Sequence, residues 1–148
     1  MTASWGEKYR AAKPARVTVL DKPFAGIPEG ARLFIASPKV IDAYLRAIPA
    51  GRTKDVAAMR DALAKKNKAE ATCPTSTAIF LRIVAESALE RVAAGEAPAA
   101  VSPFWRVVEP GGALAQKLSC GPDFIAAQRA LEAADRPAKP TRKKASPA

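Results

Sequence analysis

Residues 102–119 read SPFWRVVEPGGALAQKLS and combine the frame of a reactive-site loop with the pattern of a β-hairpin. The large side chains of Phe104 and Trp105 stand where such a loop would carry its nucleophile. The turn residues PGG at 110–112 separate RVVE from ALAQKL, which predicts two strands joined by a tight turn. The segment therefore predicts a hairpin that follows a loop without a nucleophile.

Two helices are predicted ahead of this segment. Ser37 is a typical N-cap and Pro38 suits a first helical turn, so the first helix begins there and ends at Pro49. Its apolar residues share one face: Val40, Ile41, Tyr44, Leu45 and Ile48. Asp55 caps the second helix, which closes with the basic stretch KKNKAEA at residues 65–71. The apolar residues of this second helix repeat at helical spacing: Val56, Met59 and Leu63.

A long third helix is predicted from about Pro74 to Ala94. Its apolar positions predict a buried stripe made of Ile79, Phe80, Ile83 and Val84. Its charged positions, Arg82, Glu86 and Glu90, predict a solvated ion-pair face. The two faces together are typical of an amphipathic helix packed on a core.

The remaining elements lie nearer the two ends of the chain. ARVTVL at 15–20 and ARLFIAS at 31–37 predict two strands of a small N-terminal sheet. Asp123 caps a last helix that runs to about Ala134 and buries Ile125 and Leu131. The order helix, turn, helix, long helix, hairpin predicts an α+β fold, a small winged helix-turn-helix domain.

Three regions follow from this pattern. We expect residues 1–15 to form a basic flexible arm and residues 16–135 to form the folded domain. Residues 136–148 contain five basic residues and no acidic one, which predicts a disordered basic tail.

Composition limits the classes of function. The net charge of +10 is typical of a protein that binds a polyanion. The chain has no histidine, which excludes His-dependent metal sites and His general bases, and no cofactor or metal site is expected. Cys73 and Cys120 match neither a disulfide framework nor a zinc spacing, and no apolar run is long enough for a membrane span. We therefore expect a cytoplasmic protein with reduced thiols.

Segment 38–135 resembles the C-terminal domain of the alkylguanine-DNA alkyltransferase family. The family reads IPxGxVTTYxxLA, then a recognition helix, then PCHRV. This chain has IPAGRTKDVAAMRDALA at 48–64, TCPTSTAIFLRIVAES at 72–87 and PFWRVV at 103–108, followed by FIAAQRALEAAD at 124–135. The resemblance implies a winged DNA-binding domain.

The resemblance also implies that the catalytic residues are missing. Phe104 stands where the family has its alkyl-accepting cysteine, and Trp105 where it has a histidine. Val56 takes the place of the tyrosine, and residues 72–75 lack the arginine that replaces a flipped base, with Arg82 about two turns too late. The chain thus resembles the non-catalytic, alkyltransferase-like branch, as a degenerate relative of a repair methyltransferase. The vacated motif comprises Pro103, Phe104, Trp105, Arg106 and Val107.

DNA contacts are predicted around the two helices of the helix-turn-helix and at the hairpin. Basic side chains can neutralise phosphates, and hydroxyls and free amides at a helix start can bind them. The predicted DNA-contacting residues are Arg52, Lys54, Arg60, Lys65, Lys66, Lys68, Thr75, Ser76, Thr77, Arg106 and Lys117. For the hydroxyls, ordinary helix capping by Thr72 or Thr75 is an equal alternative. Trp105 either packs into the vacated pocket or stacks on a base.

The expected function is duplex DNA binding through phosphates, without catalysis. A protein-interaction or RNA-associated module using the same basic surface is the alternative. A third possibility is an alkyl-accepting enzyme with Cys73 as nucleophile, since Cys73 stands at a helix start where the dipole favours a thiolate.

Overall fold

A computed structural model describes residues 4–135 as a mixed α+β fold, which confirms the predicted fold class at that level. The helices and strands are α1 (Trp5–Ala11), β1 (Arg16–Val19), β2 (Arg32–Ile35), α2 (Pro38–Ala47), α3 (Val56–Lys66), β3 (Ala71–Thr72), α4 (Pro74–Ala93), α5 (Ala113–Lys117) and α6 (Gly121–Asp135). Two 3-10 turns, at Pro98–Ala100 and Phe104–Arg106, lie between α4 and α5. The predicted basic tail, residues 136–148, lies outside the described residues.

The caps read from the sequence set the starts of α2 and α3. The Ser37 hydroxyl accepts a hydrogen bond from the Val40 N–H at 3.3 Å, and the Asp55 carboxylate accepts one from the Ala58 N–H at 2.7 Å. Each bond satisfies one of the orphan donors of a first helical turn. Both predicted helix starts are confirmed, and the apolar face of α2 is buried at Ile41 and Leu45.

The sheet has the order β1-β2-β3 and mixed pairing. β1 and β2 are antiparallel, as two adjacent predicted strands would be, with Arg16 opposite Ile35. β3 pairs with β2 in parallel and was not predicted, because residues 65–71 were assigned to the end of the second helix. That helix instead ends at Lys66, and Lys68 adopts a left-handed conformation with φ 57° that turns the chain back to the sheet.

α4 has the predicted bounds within one residue, but its faces are not those predicted. Ile79, predicted in the buried stripe, is 53% exposed, whereas Ile83 and Val84 are buried as expected. Glu86, predicted on a solvated face, is only 4% exposed and is hydrogen-bonded to Ser119. The prediction of a solvated charged face is therefore wrong, because α4 runs through the middle of the domain and meets neighbours on more than one side.

α1 accounts for one of those neighbours. Ser4 and Glu7 form a capping box at its start, and the Glu90 carboxylate accepts hydrogen bonds from the N–H groups of Trp5 and Gly6 at 2.8 and 2.9 Å. The Glu90 charge thus lies at the positive end of α1. Residues 5–11 of the predicted flexible arm thus form a helix that packs against α4 and is followed by β1.

Residues 106–118 do not form the predicted β-hairpin. A 3-10 turn ends at Arg106, a tight turn follows in which the Gly112 N–H donates to the Glu109 carbonyl, and α5 begins at Ala113. This helical path buries its apolar side chains in the core: Val107, Val108, Ala115 and Leu118. The expected β-wing is therefore absent from residues 4–135, and Lys117, predicted on a wing strand, ends α5.

α6 begins two residues before Asp123, which lies in its first turn and is not its cap. Ile125 is fully buried as predicted, but Leu131 is 62% exposed.

One continuous core joins residues of β2, α2, α3, α4, α5 and α6 with the 3-10 turn at Phe104–Arg106. Within residues 4–135, every helix is too short or too polar to cross a bilayer.

Candidate nucleic-acid interface and the vacated motif

The vacated motif is filled by aromatic packing. Phe104 is completely buried and Trp105 is 2% exposed. Their rings meet edge to face at 5.3 Å, and Phe124 of α6 stacks on Phe104 at 6.1 Å and meets Trp105 at 6.2 Å. The expectation that Trp105 packs into the core is met, and a buried Trp105 ring has no free face on which a base can stack.

The Arg106 guanidinium makes its contacts inside the protein. Its Nε and Nη2 donate to the Glu132 carboxylate at 3.0 and 2.7 Å, and its Nη1 donates to the Ile48 carbonyl at 2.6 Å. The ion pair is nearly buried, with side chains 15% and 16% exposed. The prediction that Arg106 contacts the DNA backbone is therefore wrong for this conformation, because its donors are already engaged.

The pKa of Glu132 reports the same contacts. Burial is the largest single influence and would raise the pKa of this carboxyl, but the hydrogen bonds and charge of Arg106, with smaller contributions from Trp105 and Gly51, together lower the pKa below its usual value. The Trp105 indole N–H also contributes to the lowering of the Glu132 pKa. This N–H is buried, and its geometry does not meet the criteria for a hydrogen bond. Arg106 and Glu132 also line a cleft of about 540 Å³ between α2 and α6.

The start of α3 is tied directly to the vacated motif. The Lys54 N–H donates to the Arg106 carbonyl at 2.8 Å, so the backbone before α3 runs against the 3-10 turn. The Arg129 guanidinium of α6 donates to the Trp105 and Val108 carbonyls at 2.7 and 3.2 Å. The motif is thus held by a backbone contact from Lys54, which precedes α3, and by side-chain contacts from α6, a set that the sequence did not predict.

The cations predicted before, on and after α3 are nearly all exposed, and together with Arg32, which was not predicted, we call them the α3 basic surface. Its members are Arg32, Arg52, Lys54, Arg60, Lys65, Lys66 and Lys68. All are exposed except Arg60, which is partly buried. Lys65 forms a salt bridge with Asp61 at 3.0 Å, in which both side chains are largely exposed. Such an exposed pair is weak and does not prevent an external contact.

Arg32 belongs to this surface although the sequence placed it in a strand apart. Its Nε donates to the Lys68 carbonyl at 2.9 Å, and its backbone N–H donates to the Glu70 carboxylate. Only the pairing of β2 with β3 brings Arg32 to the end of α3. The sequence offered one weak signal for Arg32, namely a basic residue near the start of a predicted strand.

The three predicted hydroxyls in the first turn of α4 differ in their exposure to solvent. Thr75 is exposed and Ser76 partly exposed, but Thr77 is fully buried, and its hydroxyl donates to the Cys73 carbonyl at 2.6 Å. The prediction of Thr77 as a DNA contact is therefore wrong. Cys73 itself caps α4 through a long contact from the Ser76 N–H to Sγ at 3.5 Å, so the expected capping by Thr72 or Thr75 is also wrong.

The thiols are poorly placed for chemistry. Cys73 is 5% exposed, and no histidine exists to act as its base. Burial raises the pKa of the Cys120 thiol, which disfavours the reactive thiolate. Thr72, next to Cys73, donates its hydroxyl to the Arg60 carbonyl at 2.7 Å and so fastens α3 to the start of α4.

Arg82 of α4 and Lys117 of α5 lie next to each other. The Arg82 guanidinium stacks over the Trp5 ring at 5.3 Å, and its Nη2 makes a long contact to the Lys117 carbonyl at 3.4 Å. Arg82 thus faces α1 and α5, while the predicted DNA contacts of α4 are in its first turn. Lys117 is exposed but separate from the α3 basic surface.

Comparison with known proteins adds no assignment. The chain matches no protein-family model, no curated protein and no solved structure. Among residues 4–135, no group of three or more cysteine and carboxylate side chains is arranged to hold a metal ion.

Proposed function

We propose that this chain is a non-catalytic DNA-binding protein of the alkyltransferase-like type, which binds duplex DNA mainly through its phosphates. The observation that carries the proposal is the α3 basic surface. Of its side chains, only that of Lys65 forms a salt bridge with another residue in the range 4–135. Because the whole chain carries a net charge of +10, this exposed charge is available to a polyanion.

α3 and α4 would serve as the helix pair that faces the duplex. Residues 67–73 connect them, and the Thr72 hydroxyl bonded to Arg60 fixes the end of this connection. In a helix-turn-helix, the first turn of the second helix approaches the DNA. Here that turn presents the hydroxyls of Thr75 and Ser76 beside the α3 basic surface, a setting suited to phosphate. No β-wing is part of this proposal, since helical residues occupy its place.

Binding of this kind would show little sequence specificity. Base edges are read mainly by Arg, Lys, Asn and Gln side chains in the major groove. The first two turns of α4, PTSTAIFL at 74–81, contain none of these residues. We therefore expect phosphate contacts to dominate both the affinity and its dependence on salt.

The absence of catalysis follows from the filled motif. Alkyl transfer needs an activated thiolate and a base turned out of the duplex into a pocket. Phe104 and Trp105 supply neither a thiol nor a proton acceptor, and their rings pack against Phe124 where space would be needed. The same packing argues against the binding of an extruded base at this site.

A salt titration of duplex binding, repeated on two charge-matched variants, tests the proposal. With four to six phosphates neutralised, log affinity should fall with log salt at a slope of roughly −4 to −5. The triple reversal Lys65→Glu, Lys66→Glu, Lys68→Glu should weaken binding strongly and make the slope shallower. The control reversal Lys13→Glu, Arg16→Glu, Lys39→Glu changes the net charge equally at exposed positions on other elements. Arg32 is unsuitable as a control because it contacts Lys68.

Equal losses in the two triple variants would indicate diffuse attraction and would contradict the α3 basic surface as the DNA site. A flat salt response, or no duplex binding at low salt, would overturn the proposal itself. Tighter binding to structured RNA than to duplex DNA would favour the RNA-associated alternative.

A further inference from the structure

A second basic site lies away from the α3 basic surface, in a pocket of about 350 Å³ between α1, α2 and α4. Each of the three helices contributes one arginine to its lining: Arg10, Arg46 and Arg91. Asp42 is the acidic residue in the same lining, so the charged side chains of the pocket sum to +2 (three arginines and one aspartate). The volume falls within the range of about 300–1,000 Å³ typical of small-molecule sites.

The arginines keep donors free for a ligand. Arg46 uses Nε to bind Asp42 at 2.8 Å, and Arg91 uses Nε and Nη2 to bind Glu96. The Arg46 and Arg91 side chains are 46% and 47% exposed, and pairs this exposed exchange readily. Arg10 forms no salt bridge with any residue that the structure describes. Several N–H groups at the mouth of the pocket are therefore available.

Asp42 is partly neutralised by its own contacts. Its second carboxylate oxygen accepts a hydrogen bond from the Tyr9 hydroxyl at 2.8 Å. Burial and this bond raise the pKa of Tyr9, so the phenol stays protonated and adds no negative charge to the pocket. Asp42 thus faces Tyr9 and Arg46, while Arg91 is paired with Glu96, which is outside the lining, and Arg10 lines the pocket without a salt bridge to a described residue.

One residue of the pocket lining has a buried polar atom without a partner among the described residues. Ser102 lines it and is 5% exposed, and its hydroxyl makes no hydrogen bond with any described residue. The Ser102 carbonyl accepts from the Phe104 N–H, so the backbone is satisfied while the hydroxyl is not. Native proteins rarely leave such a group unpaired, and an absent ligand is one explanation for an exception.

We propose that this pocket binds a tetrahedral oxyanion, the phosphate group of a phosphate ester. Arginine guanidinium groups match phosphate in charge and in the spacing of their donors. In this arrangement the arginines neutralise the phosphate at the mouth, and the Ser102 hydroxyl donates to one phosphate oxygen.

The site is separate from the proposed DNA-contacting turn of α4. Ser87, which lines the pocket, lies twelve residues after Thr75, or about 18 Å along the helix at 1.5 Å per residue. The inference therefore does not rest on the proposed function. The phosphate could belong to a free small molecule or to a nucleic acid backbone, and the experiment separates these two sources.

The experiment is a titration of the full chain with inorganic phosphate, followed by the backbone amide signals in ¹H–¹⁵N spectra. We expect saturable shifts at Ser87, Ser102 and Arg91. Ser102→Ala should raise the Kd for phosphate about tenfold, the weight of one hydrogen bond to a charged group. The double variant Arg46→Gln, Arg91→Gln should abolish measurable binding. The control Arg16→Gln, Lys39→Gln removes the same charge elsewhere and should leave the Kd unchanged.

The spectra also show that each variant is folded, and Ser102→Ala removes only a hydroxyl that has no partner. The absence of saturable shifts at Ser87 and Ser102, or equal losses in the arginine variant and its control, would overturn the proposal. Repeating the titration in the presence of short duplex DNA identifies the source. Competition between DNA and phosphate at these amides would indicate a backbone phosphate, and independent binding would indicate a small phosphate ester.

Discussion

The Glu86 carboxylate in the middle of α4 accepts two hydrogen bonds from Ser119, one from its N–H at 3.0 Å and one from its hydroxyl at 2.6 Å. Glu86 is 4% exposed, whereas Ser119 lies at the surface, so the two bonds are partly buried. Ser119 follows α5 and precedes α6, and the contact therefore fixes the connection between these two helices to α4.

Glu86→Ala is expected to lower the free energy of unfolding by about 2–3 kcal/mol, since it leaves two donors of Ser119 without an acceptor. Glu86→Gln keeps one acceptor oxygen and should lower it by less. Chemical denaturation measures both values, with the exposed Glu29→Ala as a control that should change stability by less than about 0.5 kcal/mol. An equally small effect of Glu86→Ala would contradict the role assigned to this contact.

The Arg106–Glu132 pair should make stability depend on pH in the acid range. Because the pKa of Glu132 is lowered in the folded protein, its contribution is present above the unfolded pKa of about 4.3 and is lost as pH falls through the folded pKa. Glu132→Gln should therefore destabilise the protein by about 2 kcal/mol at pH 7, and the difference from the natural chain should shrink at low pH. Denaturation curves at several pH values check this, and a difference that stays constant with pH would contradict it.

Introducing the cysteine and histidine of the alkyltransferase motif at positions 104 and 105 should not create alkyl transfer. In Phe104→Cys with Trp105→His, a thiol and an imidazole replace two buried rings, and the cavity should reduce stability by at least about 4 kcal/mol. The conservative Phe104→Leu should cost less than half as much. Transfer of labelled alkyl from alkylguanine DNA to protein is the measurement. Transfer to the natural chain or to the double variant would show that the site is masked and not lost.

Removing residues 136–148 should weaken DNA binding without unfolding the domain. The deletion takes away five positive charges and lowers the net charge from +10 to +5, so both the affinity and the salt slope should decrease. The removed segment has almost no apolar residues, which predicts a Tm within a few degrees of that of the full chain. Thermal unfolding tests this point, and a large fall in Tm would mean that the segment packs on the domain.

The predictions that succeeded rest on interactions within a few residues. The hydroxyl of Ser37 and the carboxylate of Asp55 reach N–H groups three residues ahead, so α2 and α3 begin where their caps lie in any compact fold. The bounds of α4 were similarly readable from Pro74 and from the glycine after its end. The exposed cations of α3 could also be located from the sequence, because long charged side chains stay in water unless paired.

The predictions that failed concern contacts with distant residues. The hairpin at 106–118 was predicted from its turn residues alone. The chain instead takes a helical path, because this path buries Val107, Ala115 and Leu118 in a core that other elements complete. Thr77 and Arg106 have the residue types of a phosphate contact, yet Cys73 and Glu132 engage them internally. Residue type states what a side chain can bind, and packing decides which partner is present.

The sequence by itself therefore determined the starts of α2, α3 and α4, the first two strands, the mixed α+β class and the positive charge, since each depends on local geometry or composition. Only the tertiary structure decided which faces of α4 are buried, that Ala71 and Thr72 pair with β2, and that Arg32 joins Lys68. It also brought Arg10, Arg46, Arg91 and Ser102 into the lining of one pocket from four separate parts of the chain. These features depend on surfaces that meet only after the chain has folded, because burial and long-range hydrogen bonds have no local pattern in the sequence.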